Sequence, residues 1–277
     1  MPTPNSKVKA ENIYGLEYLL QTISPYWLAF TIILISTDAF LGTDKPVAFA
    51  TVFLLAGAIR GKVLEIIPCA ILLFFLYVAA LLYPDWVWKI PTAGFFIPLL
   101  LTALCCAPFA RLRSEFNWLK LGKLDQVVTA LLLITSLVSA LSLILWALWT
   151  NYLGVASQMI APLKAAPRWF TLPILVPSFA LGNALAEELV FRGIIQDSLE
   201  KNFPHKPHLS LMLQASAFAA AHFQAGFPNG KAGYTMTFIY AVVLGWLRRR
   251  SGGLLAPYIA HVVADLVIGF TLVLLRS

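Results

Sequence analysis

The chain has 277 residues, 60% of them apolar and 12% charged, about half the roughly 25% charged content of a soluble domain. That balance excludes a water-soluble globular protein and points to one that crosses a bilayer many times. The net charge of +7 does not imply nucleic acid: no basic run is long enough, or mixed enough with exposed aromatics, and cytoplasmic loops of membrane proteins are ordinarily basic.

Taken in order, the chain opens with 24 residues of polar, mixed-charge sequence before the first apolar run, near Tyr26. No small-x-small cleavage site follows, so an uncleaved first span is expected rather than a signal peptide. Nine apolar runs then stand at about 24–41, 46–59, 63–83, 92–110, 126–150, 172–196, 209–225, 232–248 and 254–275. Each is expected to be helical, because hydrocarbon leaves an open segment no other way to satisfy its backbone. The second run is short enough to be re-entrant, and the seventh is also short. The expected fold class is therefore all-α, a polytopic transmembrane helical bundle of eight or nine spans.

Loop charge supports nine spans with the N-terminus cytoplasmic. Thirteen basic residues then face inward: Lys7, Lys9, Arg60, Lys62, Arg111, Arg113, Lys120, Lys123, Lys201, Lys206 and Arg248 to Arg250. Six face outward: Lys45, Lys89, Lys164, Arg168, Lys231 and Arg276. That asymmetry obeys the positive-inside rule. Trp86, Trp88, Trp118, Trp149 and Trp169 flank the runs, as interfacial aromatics do. The segment Ser114 to Gln126 mixes Phe116, Leu119 and Leu124 with Lys120 and Lys123; it reads equally as a short interfacial helix or as a charged loop. Cys69, Cys105 and Cys106 sit in apolar runs, an odd number without metal spacing, and read as small packing residues.

Near Arg168 the character of the chain changes. Earlier spans hold almost no ionisable group, whereas later ones hold Glu187, Glu188, Arg192, His222, His261 and Asp265. This divides the chain into an accessory region, 1–165, and a core, 166–277. Ionisable residues inside a span cost roughly 2.5–3.5 kcal/mol each on insertion scales and by default mark function. Glu188 and Arg192, four residues apart, share a helix face and are expected to pair. Glu187 is left as the unpaired carboxylate, suited to proton transfer. In Phe218-Ala219-Ala220-Ala221-His222 the aromatic and the imidazole share a face, and the alanines admit a close neighbour. In His261-Val262-Val263-Ala264-Asp265 the carboxylate stands one turn on and could orient the imidazole. Taken alone, each motif has a structural reading: an ion network for Glu187, Glu188 and Arg192, a packed hydrogen-bonding residue for His222, and a helix–helix hydrogen-bond pair for His261 and Asp265. Together they describe a hydrated acid–base site. His205 and His208, in a Pro- and Lys-containing loop, read as solvated.

The order E-E-x-x-x-R, F-x-x-x-H and H-x-x-x-D, each in its own apolar helix, resembles the CPBP family of intramembrane proteases. These are the type II CAAX prenyl endopeptidases and their bacteriocin-processing, Abi-like relatives. The segment Gly245-Trp246-Leu247, Arg248 to Arg250, then Ser251 to Pro257 also looks familial, and the likeness covers about 170–270. The resemblance implies Glu187 as the general base on a water and His222 as its second holder. His261 and Asp265 would stabilise the oxyanion, Glu188 and Arg192 would brace the site, and Phe218 would line it. The family often has Asn where this chain has Asp265, and an ionised Asp cannot donate to an oxyanion. The resemblance implies a glutamate-type enzyme without a metal; were zinc bound, Glu187, His222 and His261 would be its ligands.

The expected function is therefore an endopeptidase of the inner or plasma membrane, acting on a membrane-anchored protein or peptide in contact with the lipid bilayer. A non-proteolytic immunity or binding protein is the alternative. A proton-coupled transporter is the third reading, weakened by the absence of an inverted repeat or paired broken helices.

Overall fold

The computed structural model describes residues 4–41, 44–82, 91–116, 119–150, 167–223, 227–228 and 230–274. Among them there are helices and connecting turns but no strand, the outcome that lipid imposes on apolar segments. Among the described residues nine long helices follow the nine apolar runs: α1 (Pro4–Leu41), α2 (Asp44–Gly61), α3 (Ile67–Leu82), α4 (Pro91–Cys106), α5 (Gln126–Thr150), α6 (Arg168–Asn202), α7 (Pro207–Ala221), α8 (Gly230–Ser251) and α9 (Leu255–Leu274).

Four stretches are both long and apolar enough to cross a membrane: Gly15–Thr37, Gln126–Trp149, Arg168–Asn202 and Leu255–Leu274. The protein is thus an integral membrane protein, helical throughout its described spans. The other helices fall short for two reasons. α3 has 16 residues and α7 has 15, giving roughly 24 Å of helix against a 30 Å hydrocarbon core. α8 has 22 residues, but Lys231, Thr235, Thr237 and Arg248 to Arg250 dilute its hydropathy.

At the N-terminus, α1 runs unbroken from Pro4 through Pro25 and takes in the polar residues ahead of the first apolar run. Their polarity serves packing at the end of α2: Gln21 Nε2 donates to Gly61 O at 3.1 Å, and Glu17 pairs with Lys62 at 2.9 Å. Of the segment Ser114 to Gln126, Ser114–Phe116 is a single 3-10 turn and Leu119–Asp125 is a loop without regular structure, a strap bonded to the α8–α9 turn. Lys123 N donates to Ser251 O at 2.8 Å, Leu254 N to Lys120 O at 2.8 Å, and Leu255 N to Leu121 O at 3.0 Å. So close an approach requires glycine on both sides. Gly122 has φ +81°, and a Cβ on Gly253 would collide with the strap backbone.

Residues from both halves of the chain share one core. Leu28, Leu54 and Leu72 belong to the same apolar cluster as Val190, Ile194 and Phe218. A second cluster joins α5, α8 and α9 through Val128, Leu132, Leu244 and Ala260.

At one end of the bundle the charged residues are paired. Arg248 meets Asp197 at 3.0 Å and Glu200 at 2.8 Å, and Arg249 meets Glu200 at 2.6 Å. Lys201 bridges Glu115 and Asp197, and Ser198 donates to Glu65 O at 2.7 Å. Arg248 and Arg249 are thus engaged in joining α8 to the end of α6. Trp149 and Trp169 are exposed, whereas Trp86, Trp88, Trp118, Lys89, Lys164 and Arg276 lie outside the described residues. The cysteines are unbridged; Cys69 and Cys106 are buried and Cys105 is exposed.

Candidate active site

α6 supplies the carboxylates. It is α-helical over Val176–Glu187 and winds as a π-helix over Glu188–Ile195. Such wider turns are rare and concentrate at functional sites. Across the change of winding the expected pair survives, with Arg192 Nη1 on Glu188 Oε1 at 2.9 Å and both side chains buried. Arg192 also lies over the Phe218 ring, its Cζ 4.3 Å from the centroid, a cation–π contact that helps hold a buried guanidinium. Phe218 in turn meets Phe191 edge-on at 4.9 Å, His222 at 4.6 Å and His261 at 5.7 Å. One aromatic ring therefore spaces the cation from both imidazoles.

The expected orienter of His261 is corrected. Its Nδ1 lies 2.7 Å from Glu188 Oε1, whereas Asp265 Oδ1 is 3.7 Å from Nε2, beyond hydrogen-bond reach. Glu188 thus ties α6 to α9, as well as holding Arg192. His222 sits just past α7, which ends at Ala221, and not inside a longer span. Its Nδ1 is 2.9 Å from Phe218 O. A carbonyl only accepts, so Nδ1 carries the hydrogen and Nε2 is turned to Glu187. Glu187 Oε2 stands 3.8 Å from His222 Nε2 and 3.4 Å from His261 Nε2. Its other oxygen accepts from Asn183 Nδ2 at 3.1 Å, and the same amide donates to Asp265 Oδ2 at 3.1 Å. The structure so brings Glu187, Glu188, Arg192, Phe218, His222, His261 and Asp265 into one cluster. His205 and His208 are remote and exposed.

Asn183 is the residue that sequence reasoning missed. Its signal was present: it is an amide one turn before Glu187 in an otherwise apolar run. What the sequence does not carry is that Asp265, 82 positions away, would need the amide's second hydrogen.

A cavity of about 350 Å³ opens beside the cluster. His222, His261 and Asp265 line its inner end, with His222 18% exposed and Glu187 only 4%. Thr135, Ser139 and Ser142 of α5 line the far wall. Their i, i+4, i+7 spacing makes one hydroxyl stripe along a largely apolar helix. α8 closes the side with Tyr240, whose ring stands edge-on to His261 at 6.1 Å.

Glu187, His222 and His261 are the residues named above for zinc. Among the described residues no group of three or more His, Cys, Asp and Glu is arranged to hold a metal ion, so no chemistry is derived through one.

Residues 167–267 match the family model described as Type II CAAX prenyl endopeptidase Rce1-like. The match spans the stretch that carries the three motifs, and it bears out their resemblance to the CPBP proteases. No curated protein and no solved structure matches the chain.

Proposed function

From this family relationship of its C-terminal region, we propose that the chain is an intramembrane endopeptidase that cleaves a peptide bond of a membrane-anchored protein or peptide, with Glu187 and His222 activating water. The observation that carries this reading is the placing of Glu187 Oε2 between the Nε2 atoms of His222 and His261, two residues that line the cavity. A gap of 3.8 Å is too long for a direct hydrogen bond and suits one bridging water. Such a water donates one hydrogen to the carboxylate and one to His222 Nε2, leaving its lone pairs to attack the scissile carbonyl. Glu187 takes the proton and returns it to the leaving amine.

The oxyanion would develop on the side of His261 and Asp265. His261, doubly protonated, keeps Nδ1–H on Glu188 and offers Nε2–H to the oxygen, the kind of preorganised donor that contributes most to such reactions. Asn183 spaces Glu187 from Asp265 and keeps two carboxylates apart. The reading requires no cofactor or metal and no nucleic-acid partner. Residues 166–277 would hold the catalytic groups. Residues 1–165 would supply backing for α6 and α7, and, through α5, a wall of the substrate cavity.

The topology proposed with it has nine spans and a cytoplasmic N-terminus. In its favour, the segments expected on the inner face converge at one end: Glu65 on Ser198, Glu115 on Lys201, the strap on the α8–α9 turn. The decisive experiment uses purified protein in lipid nanodiscs and a membrane-anchored peptide with a fluorophore and quencher across the scissile bond. Cleavage that disappears in Glu187→Gln and His222→Ala supports the mechanism; cleavage unchanged in both refutes it. An intact binding phenotype in a folded Glu187→Gln protein would favour the non-proteolytic alternative.

A further inference from the structure

The strap Leu119–Asp125 is placed where the chain must meet the membrane surface. α5 begins at Gln126 and α9 at Leu255, and both are long and apolar enough to cross a bilayer. Their first turns flank the strap, so it lies where two spans leave the headgroups for the hydrocarbon. Its side chains face outward: Leu119 is 63% exposed, Leu121 69% and Leu124 44%, with Lys120 and Lys123 exposed between them. Nearby cations are already engaged, Arg248 and Arg249 by Asp197 and Glu200. Among the described residues no ion pair engages Lys120 or Lys123. Alternating leucine and lysine at this level match a shallow apolar layer and the anionic groups above it.

The backbone gives the strap a second property. Lys120 O and Leu121 O accept from Leu254 N and Leu255 N, the start of the helix that carries His261 less than two turns later. Asp125 Oδ1 caps α5 by accepting from Val128 N at 2.8 Å. The strap is thus fastened to two of the helices that wall the cavity.

We propose that Leu119–Asp125 is a membrane-surface foot that docks on acidic phospholipid headgroups through Lys120 and Lys123, with its leucines in the interface, and thereby holds the start of α9. The occupant is the lipid surface and not a soluble protein, because the strap lies at headgroup level and its free charges are cationic. The inference does not depend on proteolysis.

The test is hydrogen exchange on the full chain in nanodiscs of phosphatidylcholine, with and without phosphatidylglycerol. A lysine near an acidic surface contributes about fivefold in binding, so acidic lipid should slow exchange of the Leu254 and Leu255 amides by about that factor or more. Lys120→Gln/Lys123→Gln should abolish the difference while leaving α6 exchange unchanged, which shows that the variant is folded. Equal exchange in the two bilayers overturns the proposal, as does a difference that survives in the lysine variant. As a second measurement, Leu121→Cys in a Cys105→Ala background carries an environment-sensitive dye. Quenching by headgroup-level spin-labelled lipid is expected; water-like, unquenched emission refutes the docking.

Discussion

Replacing Glu187 and Glu188 in turn by glutamine separates chemistry from support, because the two neighbours have different partners. Glu188 Oε1 takes Arg192 Nη1 at 2.9 Å and His261 Nδ1 at 2.7 Å. Nε and Nη2 of Arg192 have no hydrogen-bond partner among the described residues, and the guanidinium is fully buried. Glu188→Gln therefore leaves a buried cation with the Phe218 ring and a neutral amide oxygen in place of its carboxylate. Breaking a buried pair from one side costs about 3–5 kcal/mol; the lower end applies here, since Gln Oε1 still accepts. Glu187 makes one hydrogen bond, to Asn183, which glutamine keeps, and a longer contact of 3.4 Å to His261 Nε2 that loses its charge, so its replacement should cost about 1 kcal/mol, well below the Glu188 variant. In thermal unfolding in detergent, 3 kcal/mol corresponds to a fall of roughly 6–12 °C, and the Glu187→Gln curve should lie close to wild type. Cleavage should show a different pattern: Glu187→Gln loses roughly 10²–10⁴-fold through its missing base, and Glu188→Gln loses activity together with stability. Adding Arg192→Met to Glu188→Gln removes the stranded charge and should recover part of the stability. Equal destabilisation by the two single variants, or a double variant less stable than Glu188→Gln, would refute the assignment.

Asn183→Leu brings Glu187 and Asp265 together without their shared donor; it should lower cleavage more than tenfold (roughly 1–3 kcal/mol of lost hydrogen bonding), measured beside the unfolding temperature. Asp265→Asn keeps an acceptor for Asn183 and adds a donor facing the cavity, so its kcat should stay within about tenfold of wild type, while Asp265→Ala falls further. Thr135→Val and Ser142→Ala should raise KM for the anchored peptide by roughly 5–30-fold per pair with little change in kcat, as expected of binding common to ground and transition states; a fall in kcat alone would contradict a binding wall. Gly253→Ala drives a methyl group into the strap backbone and should lower the unfolding temperature by several degrees, consistent with about 1–3 kcal/mol of overpacking.

What the sequence revealed was local. The Glu188–Arg192 pair follows from a spacing of four within one helix, and the π-helical winding does not disturb it. The nine apolar runs follow from the chemistry of lipid, and each became a helix. What stayed hidden was set by tertiary approach. His261 and Glu188 are 73 positions apart, and nothing in H-x-x-x-D announces that the imidazole turns from its own helix to another. The strap was ambiguous because its alternation of leucine and lysine suits an interface in either conformation. Only the glycines at 122 and 253, close against each other, select the loop. Span lengths were misjudged where polar residues continue a helix, as at both ends of α8 and along the first turns of α1.

Depth in the bundle constrains how a substrate reaches this site. Along α6, Glu187 precedes the Asp197 ion pairs by ten residues, and along α9, His261 follows Leu255 by six. At 1.5 Å per residue the cluster lies roughly 9–15 Å from the paired, charged end, within hydrocarbon if that end is at the headgroups. A soluble peptide would have to descend that distance and shed its water along the way. α5 offers a shorter route. It is the peripheral wall of the cavity, with 17% of its apolar window buried against the protein. One helix thus stands between the catalytic groups and the lipid on that side. A substrate held by an apolar anchor is already at the right depth and needs only to pass the edge of α5, where the hydroxyls of Thr135, Ser139 and Ser142 replace the hydrogen bonds its backbone loses. The same groups would give an unanchored peptide nothing to offset its desolvation, so the proposed preference for anchored substrates would follow from where the site lies as much as from what lines it.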